Sequence, residues 1–184
     1  RSVKTGEIYS ETYDILILAP GAKPLKPNIQ GIDAAQNLFV LRNIPDADKI
    51  RDFISKNKPK TALVIGGGFI GIEMAENLTR RGIKVTLVEK LNQVLASLDF
   101  EMAQLVHIEL SSKVNLIFND GVAYFKSGGK KVGLDSGTEI DTDMTVLAIG
   151  VAPELPCGEL ETGLSREVAP ESSLAKACGL ALGK

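Results

Sequence analysis

Apolar residues along this chain fall into short continuous runs, and the runs alternate with stretches of helical period. Thr61 to Ile65 is an apolar, β-branched run and predicts a strand. Ile70, Met74, Ala75 and Leu78 then recur at helical spacing until Gly82, and Val85-Thr86-Leu87-Val88 predicts a second strand. Upstream, Asn43-Ile44-Pro45-Asp46 reads as a helix start, with an asparagine placed to cap, an early proline and an acidic first turn. Ile50, Phe53 and Ile54 supply that helix's buried face, and Pro59 lies beyond its end. Downstream, residues 99–112 predict another amphipathic helix through Ala103, Val106 and Leu110, and Val114 to Phe118 a third strand. Val122 to Phe125 and Lys131 to Leu134 flank Ser127-Gly128-Gly129 as a hairpin, and Met144 to Ile149 reads as a further buried strand. Nearer the amino end, residues 3–12 look like a strand and turn, and Tyr13 to Ala19 is an apolar strand closed by Pro20-Gly21. Residues 22–38, with their prolines and a Gly-Ile-Asp turn, read as a connector.

The junction at Ile65 carries the chemistry. The first strand breaks into Gly66-x-Gly68-x-x-Gly71 and a helix begins at once, while Glu89 stands at the end of the next strand, about 20 residues on. Gly66 allows the tight turn, Gly68 lets a pyrophosphate approach the backbone, and Gly71 lets the helix lie close on the strand. Ala75 is small enough to keep that contact close. The unpaired first amides of the helix and the positive end of its dipole then face the phosphates. Glu89 can accept from both ribose hydroxyls and would repel a 2′-phosphate, which points to NAD(H) over NADP(H). The element order therefore predicts an α/β chain with a Rossmann-type three-layer fold: a parallel sheet plus a small antiparallel β-meander.

Composition narrows the setting. The 184 residues are 44% hydrophobic with a net charge of −2, enough for one good core and without the electrostatic footprint of a nucleic-acid or membrane-surface binder. No apolar run is long enough to span a bilayer, and no signal peptide pattern opens the chain. Cys157 and Cys178 match no metal or disulfide framework, which suits a reducing, cytoplasmic location. His107, the single histidine, is expected on the surface of its helix, and the Lys126-to-Lys131 cluster as the solvated end of a hairpin. The chain opens at Arg1 in mid-pattern and reads as a piece of something longer.

One pattern occurs twice. Asp14-Ile-Leu-Ile-Leu-Ala-Pro-Gly21-Ala-Lys-Pro24 and Asp143-Met-Thr-Val-Leu-Ala-Ile-Gly150-Val-Ala-Pro153 share Asp, Ala, Gly and Pro in register. Chance similarity of two apolar strands is one reading. The other is that each closes a nucleotide domain, and only the second copy has its glycine fingerprint within this chain.

Together with Leu41-Arg42-Asn43-Ile44-Pro45-Asp46 and Val64-Ile-Gly-Gly-Gly-Phe-Ile-Gly-Ile-Glu-Met-Ala-Glu76, the first copy resembles the FAD-dependent pyridine nucleotide-disulfide oxidoreductases. Within that family the chain looks most like the coenzyme A-disulfide reductase and NADH oxidase or peroxidase branch. The resemblance implies a flavoprotein, homodimeric when complete. NAD(P)H there passes hydride to FAD, which reduces a small-molecule disulfide, persulfide, peroxide or oxygen through a cysteine. By position, Gly66, Gly68 and Gly71 would hold the pyrophosphate and Glu89 the adenosine ribose. Phe69, with Ile70 beside it, would stand near the nicotinamide–flavin contact unless it is plain core packing. Glu73 would lie at the nicotinamide end unless it is an ordinary helix-face carboxylate, and Gly150 would line the cofactor.

The resemblance implies three parts: residues 1–42 as a fragment of the FAD domain with a connector, 43–150 as the NAD(H) domain, and 151–184 as an irregular tail returning toward the FAD domain. The family's redox cysteine and dimerisation domain have no counterpart here, so no catalytic residue or metal ligand is assigned and the chain alone is expected to be inactive. In the tail, Val151-Ala-Pro-Glu154 recurs as Val168-Ala-Pro-Glu171, by insertion, local duplication or shuffling. NADH oxidase or peroxidase, a ferredoxin or rubredoxin reductase, and a non-catalytic NAD(H)-sensing module are the alternatives.

Overall fold

A computed structural model describes residues 21–153 throughout, with 4–8, Ser10, Thr12 and Asp14 before them. The expected strand Tyr13–Ala19, apart from Asp14, and the tail from residue 154, with Cys157, Cys178 and the second Val-Ala-Pro-Glu, lie outside the described residues. Lys23–Ala152 forms a compact unit.

In chain order the described elements are β1 (Ala22–Pro24), β2 (Leu38–Phe39), α1 (Ile44–Asn57), β3 (Thr61–Ile65), α2 (Phe69–Arg80), β4 (Lys84–Val88), α3 (Phe100–Ser111) and β5 (Val114–Ile117). There follow β6 (Val122–Lys126), β7 (Lys131–Leu134), β8 (Glu139–Asp141), β9 (Met144–Leu147) and β10 (Val151–Pro153). Five strands make a parallel sheet in the order β2-β9-β3-β4-β5, and β6-β7-β8 is an antiparallel meander. From β3 the chain proceeds outward through β4 and β5, then crosses back through the meander to β9 on the other side of β3. That reversal places a crevice at the carboxyl ends of β3 and β9, the usual ligand position in such sheets.

Alternate residues of the sheet feed two cores. Ala62, Val64, Val85, Leu87, Val114, Met144 and Val146 face the helices, against Ile50, Met74, Ala75, Leu78 and Leu110. Leu63, Ile65, Val88 and Leu147 face the meander, against Phe125, Val132 and Leu134. A sheet buried on both faces needs near-continuous apolar runs, which is why β3 and β9 show no polar alternation. The expected three-layer architecture is the one observed.

Local chemistry sets the element ends. Asn43 Oδ1 accepts the Asp46 amide at 3.0 Å, with Pro45 in the first turn, so the expected cap of α1 is formed. After α2, the Ile83 amide donates to Leu78 O at 3.2 Å in a Schellman-type close around Gly82. Asp143 accounts for the aspartate that opens the repeated pattern. Its Oδ2 accepts the Lys60 and Thr61 amides at 2.7 and 3.0 Å, while its own amide donates to Thr61 Oγ1. This ties the start of β9 to the start of β3, and the Lys60 amide chiefly holds the carboxyl below its usual range.

Four of the described strands went unseen in the sequence, β1 and β10 as well as β2 and β8. Leu38–Phe39 pairs with β9 inside a stretch expected to be connector, and β8 completes the meander. Asn37 secures this edge, since its buried Nδ2 donates to the carbonyls of Gly129 and Asp143, both at 3.1 Å. The lysines at the hairpin end are paired as well as solvated: Lys126 and Lys131 both reach Glu139, at 3.2 and 3.3 Å. With Tyr124 donating as well, Glu139 is pulled down to about 2.

Thr145 in β9 is fully buried, and its hydroxyl has no hydrogen-bond partner among the described residues. Replacing Thr145→Val keeps the shape and removes an unsatisfied polar atom, so stability in urea should rise by about 1–2 kcal/mol. A lower denaturation midpoint would show that the hydroxyl is satisfied in solution.

Candidate dinucleotide-binding site

The three fingerprint glycines stand in different surroundings. Gly66 has a φ of 105°, and a Cβ there would stand 2.4 Å from Ala148 O at the end of β9. A Cβ on Gly71 would stand 1.9 Å from Gly66 O, so only glycine lets α2 settle onto the end of β3. At Gly68 a Cβ would meet nothing within 4 Å. Its exposed backbone begins α2, whose first amides have no acceptor within the helix. Open space over unpaired amides at a helix N-terminus is suited to a phosphate.

Glu89 closes the other side of this turn. Its Oε2 accepts the Gly67 amide at 2.6 Å and its Oε1 the Leu91 amide at 2.8 Å. An ionised carboxylate has about four acceptor positions, so each oxygen keeps one for a further donor. Phe69 and Ile70, 67% and 41% exposed, and the exposed Glu73 lie on the outward side of the first turns of α2. Phe69 is therefore no part of the core. Gly150 lies beyond β9, exposed, with a φ of 120°, and its carbonyl accepts the Leu25 amide at 3.0 Å. The geometry thus gathers Gly66, Gly68, Gly71 and Glu89 around one turn, with Phe69, Ile70 and Glu73 along its helix, and leaves Gly150 on the strand exit.

Two residues packed at this turn escaped the sequence reading, Gly67 and Val94, and a third that holds it, His107, was misplaced. Gly67 is enclosed, a Cβ there lying 2.9 Å from Val94 Cγ1, and its carbonyl accepts the Leu95 amide at 2.8 Å. His107 is not on the helix surface as expected. It is buried against the Phe118 ring, centroids 4.7 Å apart, and its Nε2 accepts the Val94 amide at 3.0 Å. An amide can only donate, so that nitrogen carries no proton and the imidazole is neutral. The run of three glycines was the available signal for Gly67. For His107 the signal was its place on the apolar stripe of α3, four residues after Ala103 and three before Leu110.

The model of the pyridine nucleotide-disulphide oxidoreductases matches residues 1–168. The chain belongs to that family. Among its relatives, the coenzyme A disulfide reductase of Staphylococcus haemolyticus is 36% identical over 151 residues, covering 82% of this chain and 33% of that protein. The structure of reduced Bacillus anthracis CoADR-RHD superposes with a TM-score of 0.80 at 52% identity, over 98% of this chain and 30% of that one. An NAD-dependent persulfide reductase from A. fulgidus gives 0.71 at 32% identity, over 89% and 27%. The chain thus spans about a third of the length of the curated relative it matches. Among the described residues no helix is long and apolar enough to cross a membrane, and no side-chain cluster could hold a metal ion.

Two outcomes follow from this geometry. Gly71→Ala should destabilise the fold by about 1–3 kcal/mol through overpacking, whereas Gly68→Ala should stay within about 0.5 kcal/mol, chain-entropy gain offsetting a poorer cap. Urea titration of both variants checks the ranking. Burial lowers the His107 pKa below its ordinary 6.5. The unfolded chain then takes up a proton that the folded one refuses, so stability should be complete above pH 6.5 and fall as pH drops from there toward the folded value. In His107→Gln that slope, followed by thermal melts, should flatten.

Proposed function

We propose that this chain is the NAD(H)-binding domain of a flavin-dependent oxidoreductase that reduces a small-molecule disulfide or related sulfur substrate, in the manner of coenzyme A-disulfide reductase. The observation that carries this reading is the pairing of open space over Gly68 with a carboxylate, Glu89, on the same turn. The pyrophosphate fits over Gly68 and the first amides of α2, with Gly66 and Gly71 shaping the turn beneath it. The adenosine ribose fits the two acceptor positions left on Glu89, a negative charge that disfavours a 2′-phosphate. Phe69 and Ile70 project beside the start of α2, where an exposed aromatic suits the planar nicotinamide, and Glu73 and Gly150 complete the lining.

When bound, NADH supplies a hydride to the FAD of the intact protein. This chain's own residues bind and orient the nucleotide and leave the sulfur chemistry to a cysteine elsewhere, so the chain alone is inactive. The repeated Asp14-to-Pro24 and Asp143-to-Pro153 pattern supports a division into an FAD-domain fragment and connector (1–42), whose β2 joins the sheet of the next part, the NAD(H) domain (43–150) and a returning tail (151–184). The family resemblance supports a homodimeric, cytoplasmic intact protein without nucleic-acid or membrane partners. The relatives named for coenzyme A disulfide and persulfide reduction favour a sulfur acceptor over oxygen or peroxide.

Calorimetric titration with NADH and NADPH tests the reading. NADH should bind more tightly, and Glu89→Ala should weaken NADH by about 1–3 kcal/mol, the range for charge-assisted hydrogen bonds. A preference for NADPH would remove Glu89 from the ribose site. Failure of a cooperatively melting chain to bind either nucleotide would overturn the assignment.

A further inference from the structure

The loop after Glu89 is bound to the glycine turn by a closed set of contacts. The Gly67 amide donates to Glu89, its carbonyl accepts from Leu95, and fully buried Val94 covers its Cα. Leu95 holds a φ of 49°, a left-handed conformation that a branched residue keeps only when its neighbours hold it there. One of those neighbours is anchored from outside the turn, because the Val94 amide donates to His107 on α3.

A histidine is not needed to fill this position. The other inward residues of α3 are Ala103 and Leu110, and an apolar side chain would pack on Phe118 as well. What the imidazole adds is an acceptor for an amide directed into the core, where an unpaired donor is costly. Without that acceptor the Val94 amide must turn toward water, which carries Leu95 off Gly67 and frees the Gly67 amide that fixes Glu89.

We propose that His107 is a positioning residue for the adenosine end of the dinucleotide, holding residues 90–98 on Gly67 and thereby the Glu89 carboxylate in its ribose-accepting place. This rests on the NAD(H) reading above. The effect runs through Glu89, so it is felt by a ligand that carries the adenosine ribose and disappears when Glu89 is already gone.

The test is titration of the full chain with ADP-ribose in the wild type, His107→Leu, His107→Gln, Glu89→Ala and the His107→Leu/Glu89→Ala double variant, all below their melting temperatures. His107→Leu should weaken ADP-ribose about tenfold, the loss of one well-placed hydrogen bond to a charged group. Gln, whose Oε1 can accept in place of Nε2, should restore the affinity to within about twofold. In the Glu89→Ala background the Leu substitution should add nothing, as coupled residues behave in a double-mutant cycle. Unchanged ADP-ribose affinity in folded His107→Leu, or an undiminished effect without Glu89, overturns the proposal. If the Leu variant does not melt cooperatively, His107→Met takes its place, flexible and without a comparable acceptor. Loss of the fold in both assigns His107 to folding alone and overturns the proposal too. A wild-type chain that binds no ADP-ribose overturns the nucleotide reading itself, and the proposal with it.

Discussion

The approach of α2 to the end of β3 is the contact on which the rest depends. Gly71 lies so close to the Gly66 carbonyl that a methyl group would stand 1.9 Å from it. This proximity aims the first amides of the helix at the crevice between β3 and β9 instead of past it. It also brings Ala75, fully buried, onto the sheet and seats Met74 and Leu78 in the helix-side core. A longer distance would leave a gap over Val64 and turn the dipole away from the carboxyl ends of the strands. Packing and ligand geometry are therefore set by the same missing side chain.

The opposite face of the sheet is closed by the meander, and the return path through it brings β9 beside β3. Asp143 and Asn37 make that return specific. The first binds the amides that open β3, and the second binds the β6–β7 turn and the start of β9 through the Gly129 and Asp143 carbonyls. Register matters here because Ala148, just past β9, sets the limit against which Gly66 turns. A slip of one residue would exchange the two faces of β9 and block the crevice.

Much of this was legible beforehand because strong local signals agreed with the final packing. Thr61 to Ile65 and Val85 to Val88 are too apolar to be exposed, Asn43 and Pro45 announce a helix start, and three glycines followed by Glu89 announce the turn. The omissions share a physical cause. Leu38–Phe39 is a two-residue strand, too short to carry a period, and β8 contributes a single apolar side chain, Ile140. Both exist because neighbouring strands offer them partners. His107 was expected on the surface although it shares the buried stripe of α3 with Ala103 and Leu110, and what holds it there includes a contact with the 90–98 loop. That contact joins an amide to a ring 13 positions away and has no trace in the helix pattern. Gly67 was passed over because the fingerprint counts it as a free position.

A crystal structure of the chain with NADH tests the central claim most directly. Density for the pyrophosphate over the Gly68, Phe69 and Ile70 amides, with the adenosine ribose hydroxyls on Glu89, is the expected result. A nucleotide bound elsewhere on the chain, or a ribose directed away from Glu89, would contradict it.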